Sequence, residues 1–385
     1  MSETSAATTV ATTTAAAPTR AAVIRQWVSV GSVSCDVRVG SGALEVIGTL
    51  LKGSVGNPHL AALVVEEGTD EDLLTRVRYA LTDVGFDLRV MTMPEGAVAR
   101  RLETCAELAG KLVEAHITSD DLICAIGGTD MLSAVAYVAG SWFGGTPLAE
   151  VPTTLDACVE CTVTPRGIDV GEASEMLVVK PAAKYLICDL DVIDCNPDTP
   201  SARLARALMV AGALADNEKA FERLWDRAEL VAAGDVEALA AQLGDTAKTR
   251  GHIVSATAIA LRQSINVGRS FQHALASLLD DDADAGRLLA EGLRFQARLA
   301  AGQEELPVDD VLTIDELLDL LELAPISCDV EPEALVAALK AERFRRSGRF
   351  LLGLPKAIGR VRLSGVDDAL LLEHATAWCA AHARQ

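Results

Sequence analysis

The first half of the chain alternates between short apolar runs and amphipathic stretches. The apolar runs have the length and composition of buried strands, and the stretches between them repeat apolar residues at helical spacing. Strands are predicted over residues 60–65, 86–93, 122–126, 148–152 and 185–190. The clearest predicted helix spans residues 70–85 and ends at a glycine. Strands that alternate with helices indicate a parallel sheet covered by helices on both faces.

The pattern changes after about residue 194. Residues 201–385 carry almost only helical periodicity, with predicted breaks at Gly234, Gly244, Gly302, Pro325 and Pro355. We therefore predict an α/β Rossmann-like domain with a parallel sheet over residues 25–194 and an all-α domain over residues 195–385. Residues 1–24 are mostly rich in Ala and Thr and predict a disordered tail. The cleft between the two domains is the expected ligand site.

Composition and charge narrow the classes of partner. Half of the 385 residues are hydrophobic, and the formal net charge is −21. This charge repels nucleic acid, so an anionic small molecule is expected to need a local basic pocket. No apolar run approaches the length of a membrane span, and nine scattered cysteines suggest a cytoplasmic protein. Cys158 and Cys161 have CxxC spacing without a second pair, which favours two small buried residues over a zinc or redox site.

Three predicted strands end in residues that suit a nucleotide. Gly127 and Gly128 follow one strand and open a helix, where backbone N–H groups can approach a pyrophosphate. Thr153 and Thr154 end the next strand, and Glu95 follows another. An ordinary tight turn also explains the glycine pair. Because ligands of parallel sheets bind beyond the carboxyl ends of strands, the three ends together favour a dinucleotide site.

The helical half contains a second group of polar residues. Its members, Lys248, Arg262, Asn266, Arg269 and His273, are separated by 14, 4, 3 and 4 residues. This spacing predicts that the last four share one face of a helix. Guanidinium, amide and imidazole groups on one face suit a phosphate or a carboxylate. A solvated polar stripe is the alternative interpretation.

The order of these motifs resembles 3-dehydroquinate synthase and the related sugar phosphate cyclases, from about Val28 to about Leu372. The blocks that carry the resemblance read DVRVGSGALEVIG, PEGAVARRLET, DDLICAIGG, PLAEVPTTLDACV, YLICDLDVI and INVGRSFQHALA. The resemblance implies NAD, a divalent metal that is usually zinc, and a homodimer. It also implies conversion of 3-deoxy-D-arabino-heptulosonate 7-phosphate to 3-dehydroquinate, a step of the shikimate pathway to the aromatic amino acids.

Carried over position by position, the resemblance assigns two sets of residues. The cofactor set is Glu95, Gly127, Gly128, Thr153, Thr154 and Glu160, the last in place of an aspartate. The substrate set, with catalytic roles, is Lys248, Arg262, Asn266 and His273, with Arg166 in place of a lysine. Two family pairs are lost: a Gly-Asp pair falls at Leu132 and Ser133, and a Lys-Asn pair falls at about Glu175 and Met176.

The resemblance fails at the metal ligands. Arg269, Ala285 and Arg206 stand where the family has two histidines and a carboxylate, and Met209 stands where it has a lysine. Arginine stays protonated and offers no lone pair, so we expect no zinc or other divalent metal at the family site. We expect Arg206 and Arg269 to point into the metal position and to hold an anion or substrate oxygens there. Alternatively, Arg269 forms an ion pair with a nearby acid.

Three functional classes follow. The first is a 3-dehydroquinate synthase-like lyase with altered or reduced activity on an anionic sugar phosphate. The second is a non-catalytic relative that binds a nucleotide or an anion and acts as a partner or regulator. The third, a metal-dependent alcohol or glycerol dehydrogenase, shares the two-domain plan but fits the sequence blocks less well.

Overall fold

A twisted sheet of seven strands forms the centre of the first half. The computed structural model describes residues 20–384 except 31–32, 162–165, 180–182 and 280–282. Most of the predicted tail, residues 1–19, therefore lies outside the described residues, while Ala21 is already buried. The strands are β1 (Ile24–Val30), β2 (Val33–Gly40), β3 (Leu60–Glu66), β4 (Asp87–Met93), β5 (Leu122–Gly127), β6 (Leu148–Pro152), β7 (Arg166–Val170), β8 (Ala173–Val179), β9 (Ala183–Asp189), β10 (Leu351–Ala357) and β11 (Arg360–Gly365).

The large sheet has the order β1-β2-β9-β6-β5-β3-β4. All of its pairings are parallel except that of β1 with β2. Val65 of β3 pairs with Ile126 of β5, and Gly127 pairs with Pro152 of β6. The carboxyl ends of these three strands therefore lie at one edge. The five predicted strands are confirmed, whereas β1, β2 and the separate β7–β8 and β10–β11 hairpins were not predicted. The prediction that residues 195–385 are all-α is therefore wrong at β10–β11, although the rest of that half is helical.

Helices cover both faces of the sheet, as predicted. In chain order they are α1 (Ile47–Val55), α2 (Glu71–Asp83), α3 (Leu102–Glu114), α4 (Thr129–Ser141), α5 (Leu155–Glu160), α6 (Pro200–Asp216), α7 (Glu218–Trp225), α8 (Ala228–Ala232), α9 (Val236–Ser255), α10 (Ile259–Gln263), α11 (Arg269–Ala276), α12 (Ala285–Gly302), α13 (Val308–Leu320), α14 (Pro332–Arg346) and α15 (Asp368–His382). Apolar residues of α1 and α2 pack on one sheet face, and those of α3, α4 and α6 belong to the core on the other. The α/β plan with a helical second half is confirmed.

Two details of the helical half differ from the prediction. Gly244 lies inside α9 and does not end it, because that helix packs on β1 and a Cβ at Gly244 would only touch the Ile24 side chain at 3.4 Å. Pro355 interrupts no helix; it lies in the β10–β11 hairpin, beside an irregularity in the register. Among the described residues, no helix is both long and apolar enough to cross a membrane.

Candidate functional site

A cavity of about 210 Å³ lies between the sheet domain and the helical half. Side chains from both parts line it, and most of those that can carry charge are arginines. The titratable lining residues are Arg100, Glu160, Glu175, Arg250, Arg269, His273, Glu342, Arg343 and Arg346. Five arginines thus face three carboxylates, and the cavity carries an excess of positive charge on a strongly acidic protein. This is the basic pocket that an anionic ligand of such a chain needs.

Arg269 forms an ion pair with Glu160 across the cavity. Arg269 begins α11, and Glu160 ends α5, so the pair joins the two halves of the chain. A second guanidinium nitrogen of Arg269 lies 3.2 Å from the Oε1 acceptor of Gln272. Burial lowers the pKa of Arg269 to about 10, and the nearby Arg100 acts in the same direction. Of the two interpretations of Arg269, the structure shows the ion pair.

The segment from 259 to 276 is not one helix, so the prediction of a single shared face is wrong. The chain turns at Gly268, which has φ 83° and separates α10 and the short turn after it from α11. The cause is close packing on α12, since a Cβ at Gly292 would lie 2.3 Å from the Gly268 carbonyl oxygen. The Gly268 N–H donates to Gln296 Oε1 at 2.6 Å. Even so, Asn266, Arg269 and His273 all line the cavity.

Ion pairs connect the rest of the lining in a chain. His273 Nδ1 lies 3.0 Å from Glu342 Oε1, and Glu342 also pairs with Arg346. Arg346 lies 3.8 Å from Glu175. Burial opposes ionisation of Glu342, but its neighbours His273 and Arg346 outweigh burial and lower its pKa. His273 is therefore held in place by a carboxylate, through Nδ1.

Arg100 is the main cation contributed by the sheet domain. Its guanidinium lies 3.2 Å from Asp130, 3.3 Å from Asp169 and 3.7 Å from Glu175. Burial disfavours the charged form of Arg100, yet these three acids together raise its pKa. Glu175 adopts φ 55°, a conformation that non-glycine residues rarely take, and its N–H donates to Asp169 Oδ1 at 2.8 Å. Arg100 and Arg346 therefore meet at Glu175.

Arg250 and Arg343 line the cavity but were not recognised in the sequence. Burial lowers the pKa of Arg250 to about 10. Arg343 Nε is buried and has no hydrogen-bond partner within the described part of the chain. Burial also lowers the pKa of Arg343, helped by Arg346. A buried donor of this kind is available to a bound anion. Arg250 lies two residues after Lys248 on α9, and no pattern in the sequence singles it out.

Several predicted site residues lie elsewhere. Lys248 is exposed, and neither Lys248 nor Arg262 lines the cavity. The prediction that Arg206 shares a cavity with Arg269 is wrong. The buried Arg206 guanidinium donates to the carbonyls of Pro197 at 2.9 Å and Ala232 at 3.1 Å. Pro197 lies in a loop and Ala232 ends α8, so neither carbonyl has a helical N–H partner. The Arg166 side chain lies outside the described part of the chain.

The residues assigned to the cofactor lie mostly at the sheet edge. Gly127, Gly128 and Thr153 meet there, with the Thr153 N–H donating to the Gly127 carbonyl at 3.0 Å. Thr154 Oγ1 is buried without a hydrogen-bond partner among the described residues, so this hydroxyl is available to a ligand. Glu95 is exposed beside the same edge. Glu160, in contrast, belongs to the cavity, where Arg269 binds it.

The donor set does not fit a divalent metal of the family type. No group of three His, Cys, Asp or Glu side chains that could hold a metal ion occurs among the described residues. At the predicted ligand positions, Arg269 is paired with Glu160, and the Ala285 carbonyl accepts from Gln272 Nε2 at 2.9 Å. Zinc needs about three nitrogen, sulfur or carboxylate donors, and a guanidinium supplies none. We therefore derive no step through a metal.

The cysteines of the CxxC pair are buried, as the sequence favoured. Cys158 is 4% exposed and Cys161 is 0% exposed. Burial raises the pKa of Cys158 well above its usual range, and the neighbouring Cys188 thiol adds to the effect. A thiol with a raised pKa is a poor nucleophile and a poor metal ligand.

Comparisons with known proteins agree with the motif order. The sequence profile for the N-terminal region of 3-dehydroquinate synthase matches residues 90–202. The 3-dehydroquinate synthase of Caulobacter vibrioides is 25% identical over 359 residues, which cover 89% of this chain and 96% of the relative. That of Laribacter hongkongensis is 27% identical over 343 residues, covering 87% and 93%.

Solved structures confirm the fold. A 2-deoxy-scyllo-inosose synthase complexed with carbaglucose-6-phosphate, NAD+ and Co2+ superposes with a TM-score of 0.80 at 14% identity, covering 91% of this chain and 99% of that one. The 2-epi-5-epi-valiolone synthase ValA from Streptomyces hygroscopicus, with NAD+ and Zn2+, gives 0.77 at 18% identity, covering 92% and 98%. An iron-containing alcohol dehydrogenase from Thermococcus thioreducens gives 0.62 at 14% identity, covering 92% and 99%. With its motifs in family order, the chain is similar over most of its length to 3-dehydroquinate synthases, and it shares the fold of the solved sugar phosphate cyclases.

Proposed function

We propose that the cavity binds an anionic sugar phosphate. On this proposal the chain is a 3-dehydroquinate synthase-like lyase whose activity on 3-deoxy-D-arabino-heptulosonate 7-phosphate is reduced or altered. The observation that carries the proposal is the cluster of five arginines against three carboxylates around one cavity. A guanidinium donates two parallel hydrogen bonds to phosphate or carboxylate oxygens, which suits a ligand that carries both groups.

Within the cavity, the arginines have different tasks. Arg343 has a buried donor without a partner among the residues that the structure describes, and we assign it to the phosphate. Arg346 and Arg100 are already engaged by Glu175 and other acids, so these acids keep them positioned before a ligand arrives. His273 is oriented by Glu342 and can exchange a proton with a ligand oxygen. The same cations would stabilise the charge of a departing phosphate.

Reduced or altered activity follows from Arg269. A divalent metal would polarise a reacting oxygen as a Lewis acid, and Arg269 bound to Glu160 cannot do so. A guanidinium can only donate hydrogen bonds. We therefore assign Arg269 and Asn266 to positioning of the ligand.

The family relationship supports the remaining parts of the proposal. Relatives named 3-dehydroquinate synthase support a role in the shikimate pathway, and the inosose synthase structure holds a sugar phosphate analogue. We extend the proposal to a cytoplasmic homodimer, with ligand binding between domains over residues 25–194 and 195–385.

Two arginines of α14, the half-buried Arg343 and the exposed Arg345, provide the test. Inorganic phosphate and the heptulosonate phosphate are titrated calorimetrically into the wild type, Arg343→Ala and Arg345→Ala. Arg345 is 42% exposed and does not line the cavity, so it controls for lost charge on the same helix. We expect Arg343→Ala to weaken binding about tenfold, since hydrogen bonds to charged groups contribute about 1.5–3 kcal/mol. Equal affinities for the two variants would reject the cavity as the anion site.

A second candidate function, a non-catalytic anion-binding relative, is favoured by the Arg269–Glu160 ion pair. Phosphate release from the heptulosonate phosphate, measured with NAD and with or without zinc or cobalt, separates the two. Binding with release supports the lyase. Binding without release supports the non-catalytic relative.

A further inference from the structure

The turn formed by Gly127 and Gly128, called the glycine turn below, is the expected site of a dinucleotide. It already binds a carboxylate of the protein itself. Gly128 precedes α4 at the end of β5, and Glu66 ends the neighbouring parallel strand β3. Glu66 Oε2 accepts a hydrogen bond from the Gly128 N–H at 2.8 Å. The carboxylate thus takes the donor that a pyrophosphate would need at this helix N-terminus.

The space beside the turn is filled as well. A Cβ placed on Gly127 would lie 2.5 Å from Met131 Cε, 2.8 Å from Glu66 Cβ and 3.0 Å from Glu66 Oε2. A Cβ on Gly128 would lie 3.4 Å from Glu66 Oε2. Packing against Glu66 and Met131 therefore accounts for Gly127, whereas a Cβ at Gly128 would make only an ordinary contact. The presence of Gly127 does not require a phosphate.

Other acids surround the same place. Asp130 follows on the first turn of α4, and Glu95 lies at the end of β4. Burial raises the pKa of Glu66, the N–H groups of Gly128 and Gly96 oppose this rise, and the charges of Asp130 and Glu95 add to it. A diphosphate at the turn would have to displace Glu66 and then lie among negative side chains. Arg100, which pairs with Asp130, is also held by Asp169 and Glu175.

We propose that Glu66 is a resident anion of the glycine turn and determines nucleotide specificity by excluding the diphosphate of a dinucleotide. The residues of the turn therefore do not fit NAD as they stand, although the resemblance implies that cofactor. The inference concerns the cofactor edge and leaves anion binding in the arginine-lined cavity unchanged. It weighs against a lyase that depends on NAD, and it therefore supports altered activity or the non-catalytic relative.

Titration of NAD, ADP and adenosine into the wild type, Glu66→Ala and Glu66→Gln tests the proposal. Glu66→Ala frees the Gly128 N–H and removes the charge, whereas Glu66→Gln removes only the charge and keeps an acceptor. Matched controls are Glu67→Ala and Glu67→Gln, because Glu67 is the exposed acid next along the chain. We expect Glu66→Ala to tighten ADP and NAD binding about tenfold or more, with a smaller gain for Glu66→Gln. Adenosine, which lacks phosphate, should respond to neither change.

Unchanged or weaker ADP binding in both Glu66 variants would overturn the proposal, and so would equal gains in the Glu67 variants. If Glu66→Ala loses its circular dichroism signal, Glu66→Gln alone decides, because it is nearly isosteric. Calorimetry with inorganic phosphate alone reports the arginine-lined cavity in the same proteins. Failure to bind inorganic phosphate would count against the proposed function alone. The titrations of ADP and adenosine decide the role of Glu66 separately.

Discussion

Arg269 and Glu160 form an ion pair across the cavity between the sheet domain and the helical half. Their side chains are only 19% and 14% exposed, so little water screens either charge. Removing one partner leaves a buried charge uncompensated, which typically destabilises a protein by about 3–5 kcal/mol. Removing both leaves no such charge.

Because Glu160→Ala leaves the buried Arg269 charge without its partner, we expect this variant to lower the free energy of unfolding by about 3 kcal/mol. The double variant Glu160→Ala/Arg269→Ala should lose less than the sum of the two single variants. Urea unfolding followed by circular dichroism measures all four proteins of the cycle. Effects that add to within about 0.5 kcal/mol would show that the two residues do not interact.

The same pair predicts a change of affinity in the opposite direction. Without Glu160, the Arg269 guanidinium can donate to a ligand, so Glu160→Ala should bind inorganic phosphate more tightly than the wild type while unfolding more easily. Glu160→Asp, which keeps the charge, is the control and should gain nothing. Calorimetry at a temperature at which both variants are folded measures the affinities. Weaker phosphate binding by Glu160→Ala would contradict a competing role for Glu160.

Divalent metal should not bind in the cavity at stoichiometric level. Arg269 offers no lone pair, and the described His, Cys, Asp and Glu residues form no cluster of three there. After incubation with cobalt and dialysis, we expect no visible absorption of a bound Co2+ ion and a metal content far below one per chain. Chelator treatment should leave phosphate affinity unchanged. A stoichiometric ion, lost in Glu160→Ala or His273→Ala, would disprove this arrangement.

The sequence predicted the parts of the fold that have strong periodicity. Strands β3, β5 and β6 are buried on both faces and read as continuous apolar runs, which makes them recognisable in the sequence. Strand β8 alternates between partly buried and exposed positions, and β10–β11 contains a proline and a glycine, so neither gave such a run. Gly244 shows the opposite error: a glycine predicts the end of a helix here, but α9 continues through this position.

The site could be predicted only in part, because helix registers and tertiary contacts decide which side chains meet. Asn266, Arg269 and His273 reach the cavity although the helix breaks at Gly268. Lys248 does not, and Arg250, two residues later on α9, faces the cavity in its place. A shift of two residues turns a helical side chain by about 200°, which no pattern in one sequence reveals.

The close approach of Gly292 to Gly268 predicts a sensitive position. A methyl group at Gly292 would lie 2.3 Å from a backbone oxygen, and backbone cannot move aside cheaply. We expect Gly292→Ala to destabilise the protein by about 1–3 kcal/mol and to weaken phosphate binding, since it displaces the start of α11. Gly110→Ala in α3 is the control. A Cβ at Gly110 has no neighbour within 4 Å, so this variant should gain about 0.5–1 kcal/mol. Thermal unfolding shows whether Gly292→Ala loses stability and Gly110→Ala gains it.

A buried ion pair between Glu291 of α12 and His382 of α15 links the last described helix to the rest of the protein. Glu291 of α12 is fully buried, accepts from Trp378 Nε1 at 2.9 Å and lies 3.0 Å from His382 Nε2. His382 Nδ1 lies 2.7 Å from the Trp378 carbonyl, so both ring nitrogens face acceptors and the imidazolium form is favoured. Burial opposes this charge, but Glu291 outweighs burial and raises the pKa of His382. Burial also opposes the charge of Glu291, and His382 outweighs it and lowers the pKa of Glu291.

The two shifts define a window of stability. Because the folded state holds the His382 proton more tightly, its contribution is complete below the ordinary pKa of 6.5 and is lost as pH rises through the raised value. The contribution of Glu291 is complete above its ordinary pKa of 4.5 and is lost as pH falls through the lowered value. The pair is therefore fully effective between about these two ordinary values.

We expect His382→Gln to flatten the decrease in unfolding free energy that the wild type shows as pH rises above 6.5. His374 on the same helix is the matched control, since burial lowers its pKa, and its contribution is lost as pH falls below 6.5. His374→Gln should thus change the acidic side of the profile and leave the alkaline slope intact. Urea unfolding at intervals from pH 5 to 9 measures both slopes. If the unfolding free energy falls equally steeply above pH 6.5 in the wild type and in His382→Gln, His382 releases no proton on unfolding. The ion pair between His382 and Glu291 would then be absent.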